Sequence, residues 1–261
     1  MDFLKKGLAP ISDLAWQEIE GRAREVLETQ LTARRFVRVN GPIGKEKGGV
    51  PVGRLEVKEC DGVHYGVHQI QPFIENRISF TLNRWELDNL ERGAKDIDFT
   101  PLDEAIKKAA KFEEKTIYKG LDEACVLGLL ESNKEAIEFG TTEAETIKNI
   151  MYGVSKLRNT GYNKGPFVLV VGLEKYIYLN MINPNDSLAK KLEGILGMPI
   201  IISHNITEGI LLPYDNENIE LTLGEDFSIG FQEHDEKDVK LFVTETFTFR
   251  VLDKDLVVTY K

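Results

Sequence analysis

The sequence predicts a mixed α+β fold, and three observations carry that expectation. Between Glu75 and Gly93 the apolar spacing changes from period two, ending in Phe80, Thr81 and Leu82, to a period near 3.6 through Trp85, Leu87 and Leu90. From about Lys134 helical patterns and short buried strands alternate, which marks 135–218 as a second lobe. The chain then closes on strands, LFVTETFTFRV at 241–251 being the clearest.

Taken in order, Ser12 or Asp13 caps a helix running to about Leu31 with an apolar stripe of Trp16, Ile19, Ala23, Val26 and Leu27. Glu18 with Arg22 and Glu20 with Arg24 are spaced as i,i+4 pairs on its other side. The stripe suits packing on its own chain, and it suits receiving a partner peptide. Phe36 to Val39 reads as a short strand, and GPIGKEKGGVPVG at 41–53 holds too much glycine and proline for a regular element. Leu55 and Val57, a turn at Asp61-Gly62, and Val63, Tyr65 and Val67 form a β-hairpin. Two strands are barely stable alone, so this hairpin is expected to lie on a neighbouring subunit.

The Trp85 helix stops at Gly93, and Thr100-Pro101 opens a long helix to Gly120 whose face is Leu102, Ala105, Ile106, Ala109, Phe112, Thr116 and Ile117. A less regular helical piece is expected over Leu121 to Leu130. Thr142 and Glu145 form a capping box for a helix to about Asn159. Phe167 to Val171 is a buried strand, Leu173 to Met181 a helix, and the turn Asn183 to Ser187 caps another helix to Gly194. Ile200 to Ile202 and Ile210 to Leu212 add strands. Along 241–251, Leu241, Val243, Phe247, Phe249 and Val251 share one face; Glu245 falls on that face and is expected to be paired, because a lone buried carboxylate is costly.

Composition bounds the function. Of 261 residues, 42% are apolar, enough for a substantial core. No apolar run reaches the roughly 18 residues of a membrane helix, and MDFLKKG lacks a signal peptide's hydrophobic stretch, so no membrane and a cytoplasmic location are expected. Cys60 and Cys125 are too few for a disulfide framework. A net charge of −10 has the wrong sign for packing nucleic acid. The sign is uneven: seven Lys/Arg face two Glu between Leu31 and Lys58, whereas twelve acidic residues face five basic ones from Asp215 to Lys261. Copies meeting head to tail would use that polarity; two separately solvated faces would account for it as well.

Catalytic signatures are missing. His64, His68, His204 and His234 have no partner at metal-ligand spacing, and His64 and His68, four apart on a strand, are held about 13 Å apart. GxSxG, GxxxxGK[ST] and GxGxxG do not occur. With 43 acidic residues, a carboxylate pair carries no specificity. No enzyme activity is expected.

WELDNLERG at 85–93, the opening MDFLKKGLAPISDLAWQEI, RAREVLETQLTARRFV at 22–37, LGEDFSIGF and LFVTETFTFRV together resemble a family 1 encapsulin shell protein. The resemblance runs through nearly the whole chain. It implies the HK97 phage-capsid fold, with an N-terminal arm at 1–40, an extended E-loop at 41–75, a P-domain at 76–134 and 219–261, and an A-domain at 135–218. It implies a self-assembling icosahedral nanocompartment, a T=1 particle of about 60 copies. Inside, a cargo enzyme, a ferritin-like iron-storage protein or a peroxidase, would be held by its C-terminal targeting peptide. The positions matching that docking site are Arg34, Asp226, Ile229 and Phe231, where Ile229→Asp is expected to leave shells intact but empty. Arg38 stands where a relative has an acidic residue, so the charge pattern of the preferred tail differs. A flavin (FMN), not required for the shell, would stack on Trp85 beside Arg77, and the fivefold pore loop would be Asn183, Pro184, Asn185, Asp186 and Ser187. Two other readings stand beside it: a phage-type capsid protein packaging DNA, and a soluble hydrolase.

Overall fold

A computed structural model describes residues 3–133, 135–160, 165–181 and 187–261. The elements follow in order: α1 (Asp13–Gln30), β1 (Arg38–Asn40), β2 (Gly49–Cys60), β3 (Val63–Pro72), β4 (Ile74–Asn83), α2 (Arg84–Glu91) and α3 (Thr100–Lys119). Then come α4 (Leu129–Ser132), α5 (Glu143–Asn159), β5 (Phe167–Val171), α6 (Leu173–Asn180), α7 (Leu188–Leu196), β6 (Ile201–Ile202), β7 (Gly209–Pro213), β8 (Ile219–His234), β9 (Asp238–Val251) and β10 (Val258–Tyr260). The chain divides into two compact units, one of Met1–Leu31, Asn40–Glu113 and Thr222–Thr248, the other of Thr32–Val39, Glu114–Leu221 and Phe249–Lys261.

In the first unit, α1 starts where Ser12 Oγ accepts the Ala15 amide at 3.2 Å, which satisfies one of the open donors of the first turn. Its buried residues Ala15, Ile19, Ala23 and Val26 join Leu102, Ala105, Ile106 and Ala109 of α3 in one core. The other wall is sheet: β4 pairs antiparallel with β9 from Ile74 opposite Phe247 to Asn83 opposite Asp238. This register sets Ile78, Phe80 and Leu82 against Val243, Leu241 and Val239, all of them in or against that core. Fully burying each such side chain contributes about 1.5–3 kcal/mol. Glu245 lies opposite Asn76, whose side-chain amide donates to its Oε2 at 3.2 Å, so the buried carboxylate is paired as expected. Arg22 departs from the expected helix pair with Glu18 and forks onto Asp103 of α3, its Nε at 2.8 Å. Two side chains from separate elements then hold α1 against α3.

The second unit is built on a sheet of order β10-β7-β5-β6, with β5 parallel to β6 and antiparallel to β7. All five residues of β5 are buried, as a strand covered on both faces requires. Ile150, Val154 and Leu157 of α5 and Leu188, Leu192 and Leu196 of α7 pack in its core beside Tyr260. Position 153 must be glycine there, because a Cβ would stand 2.0 Å from the Tyr260 hydroxyl.

Two sequence expectations change. Leu121 to Leu130 is not one helical piece: a 3-10 turn at Asp122–Ala124, a bridge between Leu121 and Val126, and α4 replace it. The cause is a reversal in which Gly120, at φ 77°, faces Gly128 so closely that a Cβ on Gly128 would meet the Gly120 nitrogen at 2.2 Å. The second is β10, which the sequence reading did not separate from the long closing strand.

Candidate functional site

β2 and β3 form a two-stranded sheet of their own. Asp61 at φ 49° and Gly62 at φ 77° make the tight turn, as the Asp-Gly pair predicts. The turn pairs Cys60 with Val63, so Leu55 lies opposite His68, Val57 opposite Gly66 and Lys58 opposite Tyr65. Directly opposed residues share a face. Leu55 and Val57 therefore occupy one face, and Val63, Tyr65 and Val67 the other, instead of forming a single apolar side. Every residue from 51 to 70 is exposed, Val57 at 72% and Val67 at 46%. His64 Nδ1 stands 3.7 Å from Glu59 across the strands. A ribbon apolar on both faces and exposed over this length has no core of its own.

A second exposed stripe went unread in the sequence. Leu173, Ile177 and Met181 recur every four residues along α6 and its C-cap, each about half exposed or more, in the same unit as the exposed Met151 and Tyr152 of α5. The signal was the four-residue spacing itself, which is indistinguishable from a core face without knowing which side is covered.

The residues matched to peptide docking fall in both units: Asp226, Ile229 and Phe231 in the first, Arg34 in the second. Ile229 and Phe231 alternate along β8 and point to the core shared with α1, where they are only 5% and 8% exposed. Asp226 is half-buried, and its Oδ1 accepts the Phe227 amide at 2.8 Å. Arg34 lies on the 3-10 turn Ala33–Arg35. That turn is anchored by Glu114, fully buried, which accepts the Ala33 amide at 2.8 Å and the Thr32 hydroxyl. Tyr118, 3.0 Å from the Thr32 hydroxyl, has its own hydroxyl pushed well above the ordinary range, first by burial and then by the Glu114 charge.

Trp85 projects from the first turn of α2, behind an Asn83 cap that accepts the Glu86 amide at 3.2 Å, and is 66% exposed. Its cation is Arg92, 5.9 Å from the ring centre. Arg77 instead stands 4.2 Å from the Phe242 ring, and six strand positions separate it from Asn83, about 20 Å at the usual rise. Within one copy Arg77 therefore sits mid-strand on β4 and Trp85 at the start of α2, each with a different ring or cation beside it.

Asn183, Pro184, Asn185 and Asp186 lie outside the described residues. Ser187 caps α7, its Oγ accepting the Lys190 amide at 3.3 Å. Among the described residues no group of three or more His, Cys, Asp and Glu could hold a metal ion, and no helix is long and apolar enough to cross a membrane.

The family model described as "Encapsulating protein for peroxidase" matches residues 1–248. A type 1 encapsulin shell protein of Rhodococcus erythropolis is 32% identical over 263 residues, 99% of each chain. The chain belongs to the type 1 encapsulin family. Encapsulin chains of this kind are shell proteins, a structural role and not a catalytic one. The fold agrees: the virus-like particle of Pyrococcus furiosus superposes with a TM-score of 0.68 at 17% identity, covering 94% of this chain and 98% of that one. The capsid of Myoviridae phage XM1 gives 0.61 at 11% identity, covering 88% and 91%. The HK97-type architecture expected from the resemblance is therefore the fold of this encapsulin.

Proposed function

We propose that copies of this encapsulin close into an icosahedral T=1 particle in the cytoplasm and hold a guest protein inside by an extended peptide docked beside β8. The observation that carries assembly is the β2–β3 ribbon, whose two apolar faces remain exposed on the isolated chain. A neighbouring copy supplies the missing surface, and the apolar stripe of α6 offers a second contact. In this reading the ribbon is the E-loop, the 76–134 and 219–261 segments the P-domain, and 135–218 the A-domain. A net charge of −10 favours a protein guest over DNA.

Of the two guest classes, the peroxidase is supported by the family description, and the iron-storage protein rests on the sequence resemblance alone. Particles purified from native cells are expected to carry one co-purifying oxidoreductase or ferritin-like chain, identified by mass spectrometry and an iron or haem assay. Removing that chain's C-terminal tail is expected to cut its occupancy at least about tenfold, the effect of losing roughly 1.4 kcal/mol per docked tail. Particles that contain only DNA, or a guest retained at full occupancy without its tail, would overturn the proposal.

A further inference from the structure

The second unit holds a cavity of about 700 Å³ beside the start of α5, within the size range of sites that take small molecules. One wall is aromatic, and the chain that carries it is tied down from two sides. Phe139 donates its amide to the Lys261 carbonyl at 3.1 Å, and the Asn149 side chain of α5 donates to the Glu138 carbonyl at 2.9 Å. The Phe139 ring is 4% exposed and meets Tyr260 edge to face at 6.0 Å and Tyr178 of α6 at 6.4 Å. Tyr178, only half-buried, adds its ring to the lining, and its hydroxyl stands 3.4 Å from Thr146 Oγ1. The charges around the cavity are unequally spent. Glu145 accepts both the amide and the hydroxyl of Thr141 at 3.1 Å, bonds that hold its carboxyl below the ordinary glutamate range. Glu138 pairs with Lys261 at 3.0 Å. Lys175 donates to a neutral group, the Thr207 carbonyl, at 3.0 Å, with its ammonium 5.5 Å from the Phe139 ring centre. Lys148, exposed on α5, makes no hydrogen bond or ion pair among the described residues. Two ammonium groups thus lack an anionic partner there, against one carboxylate, the exposed Glu174.

We propose that this cavity binds a small planar ring carrying one anionic group, a phosphate or a carboxylate. The ring lies against Tyr178, whose orientation the Phe139 edge fixes in advance, and the anion takes the two ammonium groups of Lys148 and Lys175. Neutral ligands leave those cations as they are, and a bare anion leaves the aromatic wall unused, so the site favours the two features joined in one molecule. The wall and Lys175 are already held by protein contacts, which leaves little for the ligand to order. Every group involved belongs to one unit of one copy, so the site depends neither on assembly nor on the docking of a guest.

Isothermal titration calorimetry on the purified full chain tests this with separate probes: adenosine monophosphate and indole-3-acetate join ring and anion, adenosine supplies the ring alone, and inorganic phosphate the anion alone. Saturable binding of at least one ring anion is expected, about tenfold or more tighter than adenosine or phosphate, and which of the two binds better tells phosphate from carboxylate. Lys148→Ala changes an exposed helix position; it is expected to weaken that binding about tenfold, the loss of one charge-assisted hydrogen bond, with the melting temperature unmoved. Lys148→Arg is expected to retain it. Binding of neither ring anion at millimolar concentration, adenosine or phosphate binding as tightly as the better ring anion, or wild-type affinity in Lys148→Ala would overturn the site.

Discussion

Replacing Val57 and Val67 together with aspartate is expected to abolish particle formation and leave a folded subunit. Both side chains lie on the exposed ribbon, on its opposite faces, and neither belongs to the core of its own unit. The isolated subunit therefore loses nothing that holds it together, and its melting temperature should move by no more than about 2 °C. Assembly is another matter. Each charge would have to be buried against a neighbour, which costs several kcal/mol for an unpaired ion, and every subunit of a closed particle repeats the contact. Size-exclusion chromatography with circular dichroism separates the outcomes: a small, folded species is expected. Particles at wild-type yield would show that the ribbon is not what joins the copies.

Ile229→Asp is expected to unfold the first unit or lower its melting temperature by more than about 10 °C. A sequence reading that places Ile229 in an open slot expects intact, empty shells. The structure changes this, because Ile229 is 5% exposed and packs with Ala15, Ile19, Ala23 and Val26 of α1. Removing the aliphatic side chain alone costs about 2–5 kcal/mol, and the carboxylate adds a desolvation penalty with no cation supplied by this core. For a domain of this size a few kcal/mol is a large share of the total stability. Calorimetry on the purified variant checks the shift. Normal melting with shells intact and empty would show instead that the slot is open in the assembled protein.

Much of the fold was legible because its signals are local. Ser12 and Thr142 cap α1 and α5 where their side chains say they should, and Asp61-Gly62 turns the hairpin. Glu245 was readable as paired, since a carboxylate on an apolar strand face leaves few alternatives, although Asn76 as its partner was not. What escaped depends on contacts distant in sequence. The two faces of the hairpin follow from a register that the turn sets; alternation within each strand cannot show whether Leu55 and Tyr65 point the same way. The reversal at Gly120 and Gly128 needs two glycines to meet across a turn. Leu173, Ile177 and Met181 read like any buried stripe.

The docking residues show the same division. Ile229 and Phe231 came from the family resemblance, while their burial was not legible, because the residues of α1 that cover them lie about 200 positions earlier in the chain.

Electron microscopy of the purified chain at micromolar concentration, with particle mass measured on the same sample, bears most directly on the claim that this ribbon finds its surface only on other copies. Closed hollow particles of uniform diameter, with the ribbon laid across a neighbouring subunit, are the result the account predicts. A monodisperse monomer whose ribbon lies on its own body would contradict it.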